Sequence, residues 1–455
     1  MKQKKEIRCC APLPARAISR RQILAATASA IALPTIVPSS ALGLDGHLPP
    51  SERITVGMIG TGTRGMQLLQ AMAPLRNHCV VALSDCRQDR LELAGQMVSD
   101  AEQARGGTGD AGCDLHADFR ELLDRNDIDA VFGVVPDHWH GIVFTRVLES
   151  GKDLYGEKPL TRSIAEGAEI CRLVRRHSRV FQTGTQQRSW PQFRLACELA
   201  RNGFLGRVNQ IEVGVPGGVA YPAAAPCPPP PGFDYETWTG PAPLMPYDPK
   251  RCEWLAMYMI SHYCAGFICN WGVHHLDIAG WGCPEVLSQP FDVEGTGTMP
   301  SEGMTDTWIG WQMKFQWPSG LRLSFSNADK PHPMGCRFIG EKGWVRVDRS
   351  GIWAEPQSLL SQSFGASDRR LHASPVYPDA VTSHIADFFR SVRTRQDPVA
   401  PVEQGHASST LGNVCDIALR LGRKVHWDPV AGSFLGDAAA NAMRSRPQRA
   451  TKYDA

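Results

Sequence analysis

Long apolar runs are the first thing missing from these 455 residues. Beyond the amino terminus no stretch approaches the ~18 apolar residues that a membrane-crossing helix needs, so no membrane span is expected. Repeated C-x-x-C pairs are missing too. Of 14 cysteines, Cys9 and Cys10 lie in the first 43 residues and the other twelve are scattered, which argues against zinc ribbons and dithiol redox motifs. Cys79, Cys171 and Cys197 sit in apolar periodic segments and read as small core residues, with one or two disulfides at most. Charge of one sign is not in excess, at 48 Lys+Arg against 46 Asp+Glu, and no basic stripe or aromatic nucleic-acid motif occurs, so no nucleic-acid partner is expected. What is present is ordinary: 42% hydrophobic and 21% charged residues exclude a disordered, collagen-like or coiled-coil chain, and the length predicts two or three domains.

The charge balance is unevenly spread. Residues 1–43 hold seven basic residues and one acid, which leaves 41 basic and 45 acidic residues in the remainder. The segment runs from a basic start through Ser19-Arg20-Arg21-Gln22-Ile23-Leu24 to a weakly apolar stretch broken by Pro34 and Pro38, then Ala41-Leu42-Gly43. Paired arginines ahead of a mildly hydrophobic run resemble the twin-arginine signal, which exports folded proteins. Residues 1–43 are therefore expected to be a signal peptide read by the twin-arginine machinery, and the mature protein to be periplasmic or otherwise exported.

From Ile54 a short apolar strand runs into Gly60-Thr61-Gly62-Thr63-Arg64-Gly65 and a helix over 66–72, and a second strand, 79–84, ends at Asp85. A G-x-G-x-x-G between strand and helix, with an acid about 20 residues on, is the dinucleotide fingerprint. Gly60 makes the turn, Gly62 admits a pyrophosphate, Gly65 lets helix and strand approach, and Asp85 accepts from ribose hydroxyls. That favours NAD, with Arg87 keeping NADP possible. Helices at 89–103, 118–125, 141–150 and 163–177 alternate with strands at 129–135, 153–155 and 180–184, and 106–112 reads as a glycine-rich loop. This alternation predicts a parallel sheet whose ligands sit beyond the strands' carboxyl ends. Gly60, Asp85, Pro136-Asp137-His138, Lys158 and Gln187-Arg188 share that rim. The Rossmann domain is expected over 52–186.

After Arg188 the pattern changes. Strands over 305–317, 321–326, 337–339 and 344–347, joined by tight turns, predict an α+β domain on a largely antiparallel sheet over 187–430, with a helix near 406–421 and a polar tail at 431–455. Ten of the 12 tryptophans lie beyond residue 200 and read mainly as core and sheet-interface residues rather than sugar platforms.

Asn270-Trp271-Gly272-Val273-His274-His275-Leu276-Asp277-Ile278-Ala279, with the glycine fingerprint and Glu157-Lys158-Pro159, resembles the Gfo/Idh/MocA oxidoreductases over residues 52–440. The Trp238-x-Gly240-Pro241-Ala242-Pro243 loop and the closing 422–429 segment look like an exported bacterial branch. The resemblance implies a Rossmann domain followed by an open-faced α/β domain whose sheet forms a homo-oligomer contact. It also implies hydride transfer between a sugar or cyclitol hydroxyl carbon and a nicotinamide. Lys158 matches the lysine of the Glu-Lys-Pro motif and His274 the histidine of an Asp-x-x-x-His motif, whose aspartate is here Asn270.

Chemically the three cohere. Oxidising an alcohol needs a base, which His274 suits, and a cation for the developing alkoxide, which Lys158 supplies. Asn270 can hydrogen-bond a substrate hydroxyl or orient the imidazole but cannot ionise, so the base is expected to have a lowered apparent pKa, or the substrate to differ. Pro136, His138 and Glu157 are placed with Gly60, Thr61, Gly62, Thr63, Arg64, Gly65, Asp85 and Lys158 around the cofactor, and Gln187, Arg188, Asn270 and His274 against substrate. For Gln187 and Arg188 an interdomain role stays open, and Asp277 reads as a helix-stabilising or domain-linking carboxylate. No metal is expected, since adjacent histidines point apart on a helix. Three readings follow: an exported oxidoreductase with a tightly held cofactor, a glycosidase or lyase using transient C3 oxidation, and a cofactor-binding sensor that has lost catalysis.

Overall fold

The computed structural model describes residue 49 and residues 52–105, 112–223, 226–327 and 331–453. The leader over 1–43 lies outside the described residues, as does all of the glycine-rich loop except Gly112.

Residues 53–455 pack as one compact unit containing two sheets. The first has six parallel strands: β1 (Ile54–Ile59), β2 (His78–Ser84), β3 (Asp114–His116), β4 (Ala130–Gly133), β5 (Asp153–Gly156) and β6 (Phe181–Thr183), in the order β3-β2-β1-β4-β5-β6. β1, β4 and β5 are almost wholly buried, which explains why they read as apolar runs rather than alternating ones. The order reverses between β1 and β4, so a crevice opens beyond their carboxyl ends. β3 escapes sequence reading because it is a three-residue, half-exposed edge strand. The helices form close to their expected places. That at Ile164–Arg176 opens on a reciprocal cap, Ser163 N–H and Oγ both bonding Glu166 Oε2 at 3.0 and 2.9 Å.

The second sheet has nine strands: β7 (Val208–Val215), β8 (Phe291–Thr298), β9 (Gly310–Gln316), β10 (Arg322–Asn327), β11 (Gly335–Gly340), β12 (Gly343–Asp348), β13 (Gly351–Glu355), β14 (Val425–Asp428) and β15 (Ser433–Phe434). Only the central β7–β10 pair is parallel. On β9, Trp311, Met313 and Phe315 are buried while Gln312, Lys314 and Gln316 are exposed, so one face carries the core and the other is open and polar. The helix Gly272–Gly282 is buried along its whole length, packed against the long helix Val402–Leu421 and against β7 and β11. The helix is enclosed by protein with its polar residues His274, His275 and Asp277 included, and so carries His274 into the interior.

Two features depart from the sequence expectation. The helix Ala380–Thr394 returns to the first sheet, where Ile385, Phe388 and Phe389 join its core. The tail is not detached. β15 pairs with β14, Arg446 Nη2 donates to the carbonyl of His138 at 2.7 Å, and Tyr453, almost fully buried, stacks on Phe119 with ring centroids 5.1 Å apart. All twelve cysteines beyond residue 43 are free thiols, and Cys197, Cys252, Cys264, Cys269, Cys336 and Cys415 are buried core residues.

Candidate active site

A cavity of about 460 Å³ runs along the carboxyl ends of β1, β2, β4 and β5 and on towards the helix Gly272–Gly282. At its first end the glycine loop has the shape a pyrophosphate requires. Gly60 has φ +96°, and a Cβ there would lie 2.3 Å from the carbonyl oxygen of Val134. A Cβ at Gly65 would lie 2.3 Å from the carbonyl oxygen of Gly60, so only glycine lets helix and strand sit this close. The helix Thr63–Met72 begins at Gly62 without a side-chain cap, leaving its amino-terminal dipole to the cavity. Asp85 is fixed by Thr61 N–H (2.7 Å to Oδ2) and by Arg87 N–H (2.9 Å to Oδ1). The Arg87 guanidinium is engaged by Asp89 and leans over Phe233. These residues fit a dinucleotide.

At the other end Lys158, Asn270 and His274 meet. Lys158 Nζ donates to Asn270 Oδ1 at 2.9 Å and to the Asn270 carbonyl at 3.1 Å. Burial lowers the ammonium below the ordinary lysine range, while Glu157 and Asp137 act to hold it up. Burial, and after it the charge of Lys158, pushes His274 well below the usual histidine value, so it stands neutral and able to accept a proton. Its Nδ1 and the Asn270 Nδ2 have no protein partner. Asn270 closes the short helix Phe267–Asn270 and His274 lies in the first turn of the next, so the two share the cavity without sharing one continuous helix. Arg64 bridges the ends, its Nε 2.7 Å from Glu157 Oε1.

Residues 54–185 match the model of an oxidoreductase family with an NAD-binding Rossmann fold, and residues 359–454 match the α/β carboxyl-terminal domain of the same family. The chain belongs to the Gfo/Idh/MocA oxidoreductase family. Its Rossmann domain is an NAD-binding one. The curated relatives align over half their length or less. The uncharacterized oxidoreductase YrbE of Bacillus subtilis is 26% identical over 190 residues, 42% of this chain and 49% of that one. A glycosyl hydrolase family 109 protein of Shewanella sp. strain MR-4 is 32% identical over 143 residues, 31% of this chain and 30% of that one. Among solved structures, the aldose-aldose oxidoreductase of Caulobacter crescentus complexed with glycerol superposes with TM-score 0.62 at 16% identity, covering 82% of this chain and all of that one. The scyllo-inositol dehydrogenase of Lactobacillus casei with bound NAD(H) and scyllo-inositol gives 0.57 at 18%, covering 82% and 99%.

In this family member not every residue expected at the site lines the cavity. Arg188 lies away from it, closing a buried bidentate ion pair with Asp277 (2.6 and 2.7 Å), which also accepts from Ser408 Oγ. Its guanidinium is thus already engaged by a carboxylate away from the cavity wall. Gln187 is also buried behind the wall, donating to the His274 carbonyl at 3.1 Å, whereas its neighbour Gln186 lines the cavity. His138 is wholly buried with Nε2 3.1 Å from the Trp238 carbonyl, and Asp137 and Trp139 flank the cavity in its place. Thr61 and Gly65 act from behind the loop. Unforeseen lining residues are Arg90 beside Gly62, Tyr258, Trp271 and Arg349. Among the described residues, no group of His, Cys, Asp and Glu side chains is arranged to hold a metal, and no helix is long and apolar enough to cross a membrane.

Proposed function

We propose that the protein oxidises or reduces a hydroxyl-bearing carbon of a sugar or cyclitol, using NAD rather than NADP. The observation that carries this is the meeting of Lys158, Asn270 and His274 in the cavity that also holds Gly60, Gly62 and Asp85. When bound, the nicotinamide accepts or returns the hydride. Neutral His274 takes the hydroxyl proton. Lys158, held by Asn270, faces the oxygen as it gains negative charge, where a partly dehydrated ammonium is most effective. Asp85 has charge to repel a 2′-phosphate, and Arg87 is already engaged by Asp89. Both favour NAD.

The leader's paired arginines support export in a folded state, and the polar outer face of the second sheet is the surface we assign to a homo-oligomer contact. Outside the cytoplasm nucleotide is scarce, so the cofactor is held tightly and recycled in place. The test is mass spectrometry of ligand released from purified mature protein, followed by nicotinamide absorbance on adding a panel of sugars and cyclitols. Released NAD and a spectral change with one panel member are the expected results. Release of no nucleotide, or inertness of NAD-loaded protein across the panel, overturns the reading. A second reading, a glycosidase working by transient oxidation, is favoured by the family 109 relatives. It gives aglycone release without net reduced nicotinamide.

A further inference from the structure

The catalytic end of the cavity holds a cation that the reaction described above does not use. Arg349 occupies the turn between β12 and β13. Asp348 Oδ1 fixes that turn by accepting from Ser350 N–H at 2.7 Å and Gly351 N–H at 3.2 Å. The hairpin thereby delivers the guanidinium to the same wall as His274 and Trp271. There it lies 4.7 Å from the Trp271 ring and 5.8 Å from Trp190, and its Nε donates to Gln187 Oε1 at 3.1 Å. Gln187 in turn holds the His274 carbonyl, so one amide fixes both the base-bearing helix and the arginine.

Among the described residues the charge of Arg349 has no carboxylate partner, whereas Arg64 in the same cavity is paired with Glu157 and Arg346 on the same hairpin with Asp348. The acids lining the cavity are otherwise placed. Glu157 is bound by Arg64, Asp85 is held at the adenosine end by Thr61 and Arg87, and Asp137 acts on Lys158. Partial burial beside the two indoles lowers the guanidinium from the usual arginine value to about 10, with Arg64 adding to the effect, while the side chain still reaches solvent. Aromatic faces and a neutral amide hold such a fork in place without neutralising it. Its terminal nitrogens present paired donors spaced for a planar carboxylate.

We propose that the substrate is an acidic sugar, a uronic acid or uronide, whose carboxylate is bound by Arg349 while a ring hydroxyl faces Lys158 and His274. This rests on the oxidoreductase reading and adds the substrate class to it. Arg349 is then the specificity residue, and the net positive catalytic end also draws the acid in.

The test uses NAD-loaded protein and three probes that share one ring: methyl β-D-glucuronide, methyl β-D-glucoside and glucose 6-phosphate. Binding is read from quenching of tryptophan fluorescence, to which Trp271 and Trp190 contribute, and turnover from nicotinamide absorbance. The glucuronide is expected to bind roughly a hundredfold more tightly than the glucoside, since a site built around a charged partner rejects the analogue that lacks it. In Arg349→Met that ratio collapses towards one, chiefly through KM for the acid, and Arg349→Lys restores part of it. Equal binding of uronide and glucoside, tighter binding of the phosphate, or a ratio untouched by Arg349→Met overturns the proposal. Binding discriminates the two claims. A uronide that binds selectively but is never oxidised sinks the oxidoreductase reading and leaves the anion site standing. Oxidation of neutral sugars with no acid preference does the reverse.

Discussion

Asn270 sets the electrostatics of the base. With an amide at position 270 and Lys158 bonded to that amide's oxygen at 2.9 Å, His274 has cations for neighbours and its protonated form is disfavoured. Asn270→Asp places a carboxylate against both, which favours the imidazolium and raises the histidine pKa. The acidic limb of the kcat/KM profile is therefore expected to move up by about one pH unit. An unmoved limb would show that His274 is not the titrating base. Arg188 offers a different test. Its ion pair with Asp277 is sealed from water, and Arg188→Met strands a buried carboxylate at a cost of about 3–5 kcal/mol. Urea denaturation should show that loss, while NAD affinity stays near wild type because Arg188 does not line the cavity. The sequence brought Arg188 to the correct rim, since it follows β6, but whether it turns to substrate or to protein depends on Asp277, 89 residues away. Arg349 was illegible for a related reason: it sits in a turn, and the turn's destination is set by the sheet.

Elements were legible in proportion to how local their causes are. β1, its glycine loop and the helix Thr63–Met72 declare themselves because a buried parallel strand and a φ-positive glycine leave marks in neighbouring residues. β7 carries an alternation of Ile211, Val213 and Val215 that the expectation passed over, and it proved central because its partners β10 and β11 lie more than a hundred residues on. The carboxyl-terminal segment shows the limit most clearly. Its polar composition reads as tail, yet Arg446 and Arg449 fasten it to the carbonyls of His138 and Gly240, and Tyr453 lines the cavity at the end held by Asp85 and Phe119. A buried aromatic there closes the adenosine side. Tyr453→Ala is expected to speed cofactor loss on gel filtration and to weaken NAD binding by about tenfold, the loss of one aromatic contact. Catalysis with saturating NAD should be affected much less.

At the scale of the whole molecule, buried histidines make the fold acid-sensitive. Burial pushes His78, His138 and His275 down to about 3 and His384 to about 4. At pH 7 both folded and unfolded chains leave them neutral. As pH falls below the ~6.5 of an unfolded histidine, the unfolded chain takes up protons that the folded one refuses. Each such histidine then removes up to roughly 1.4 kcal/mol per pH unit until its own folded value is reached. The melting temperature should fall steadily from pH 7 to pH 5, and a flat profile would contradict the burial described.

The packing of Phe388 against Phe132, rings 5.6 Å apart, also sets a timetable. β6 leaves the ribosome about two hundred residues before the helix Ala380–Thr394. At ~5–20 residues per second, one face of the finished parallel sheet waits roughly ten to forty seconds for its cover. During that interval Phe132 and Tyr155 lack their cover of Phe388 and Phe389, so the nucleotide-binding half is expected to present apolar surface to a chaperone while it is being born.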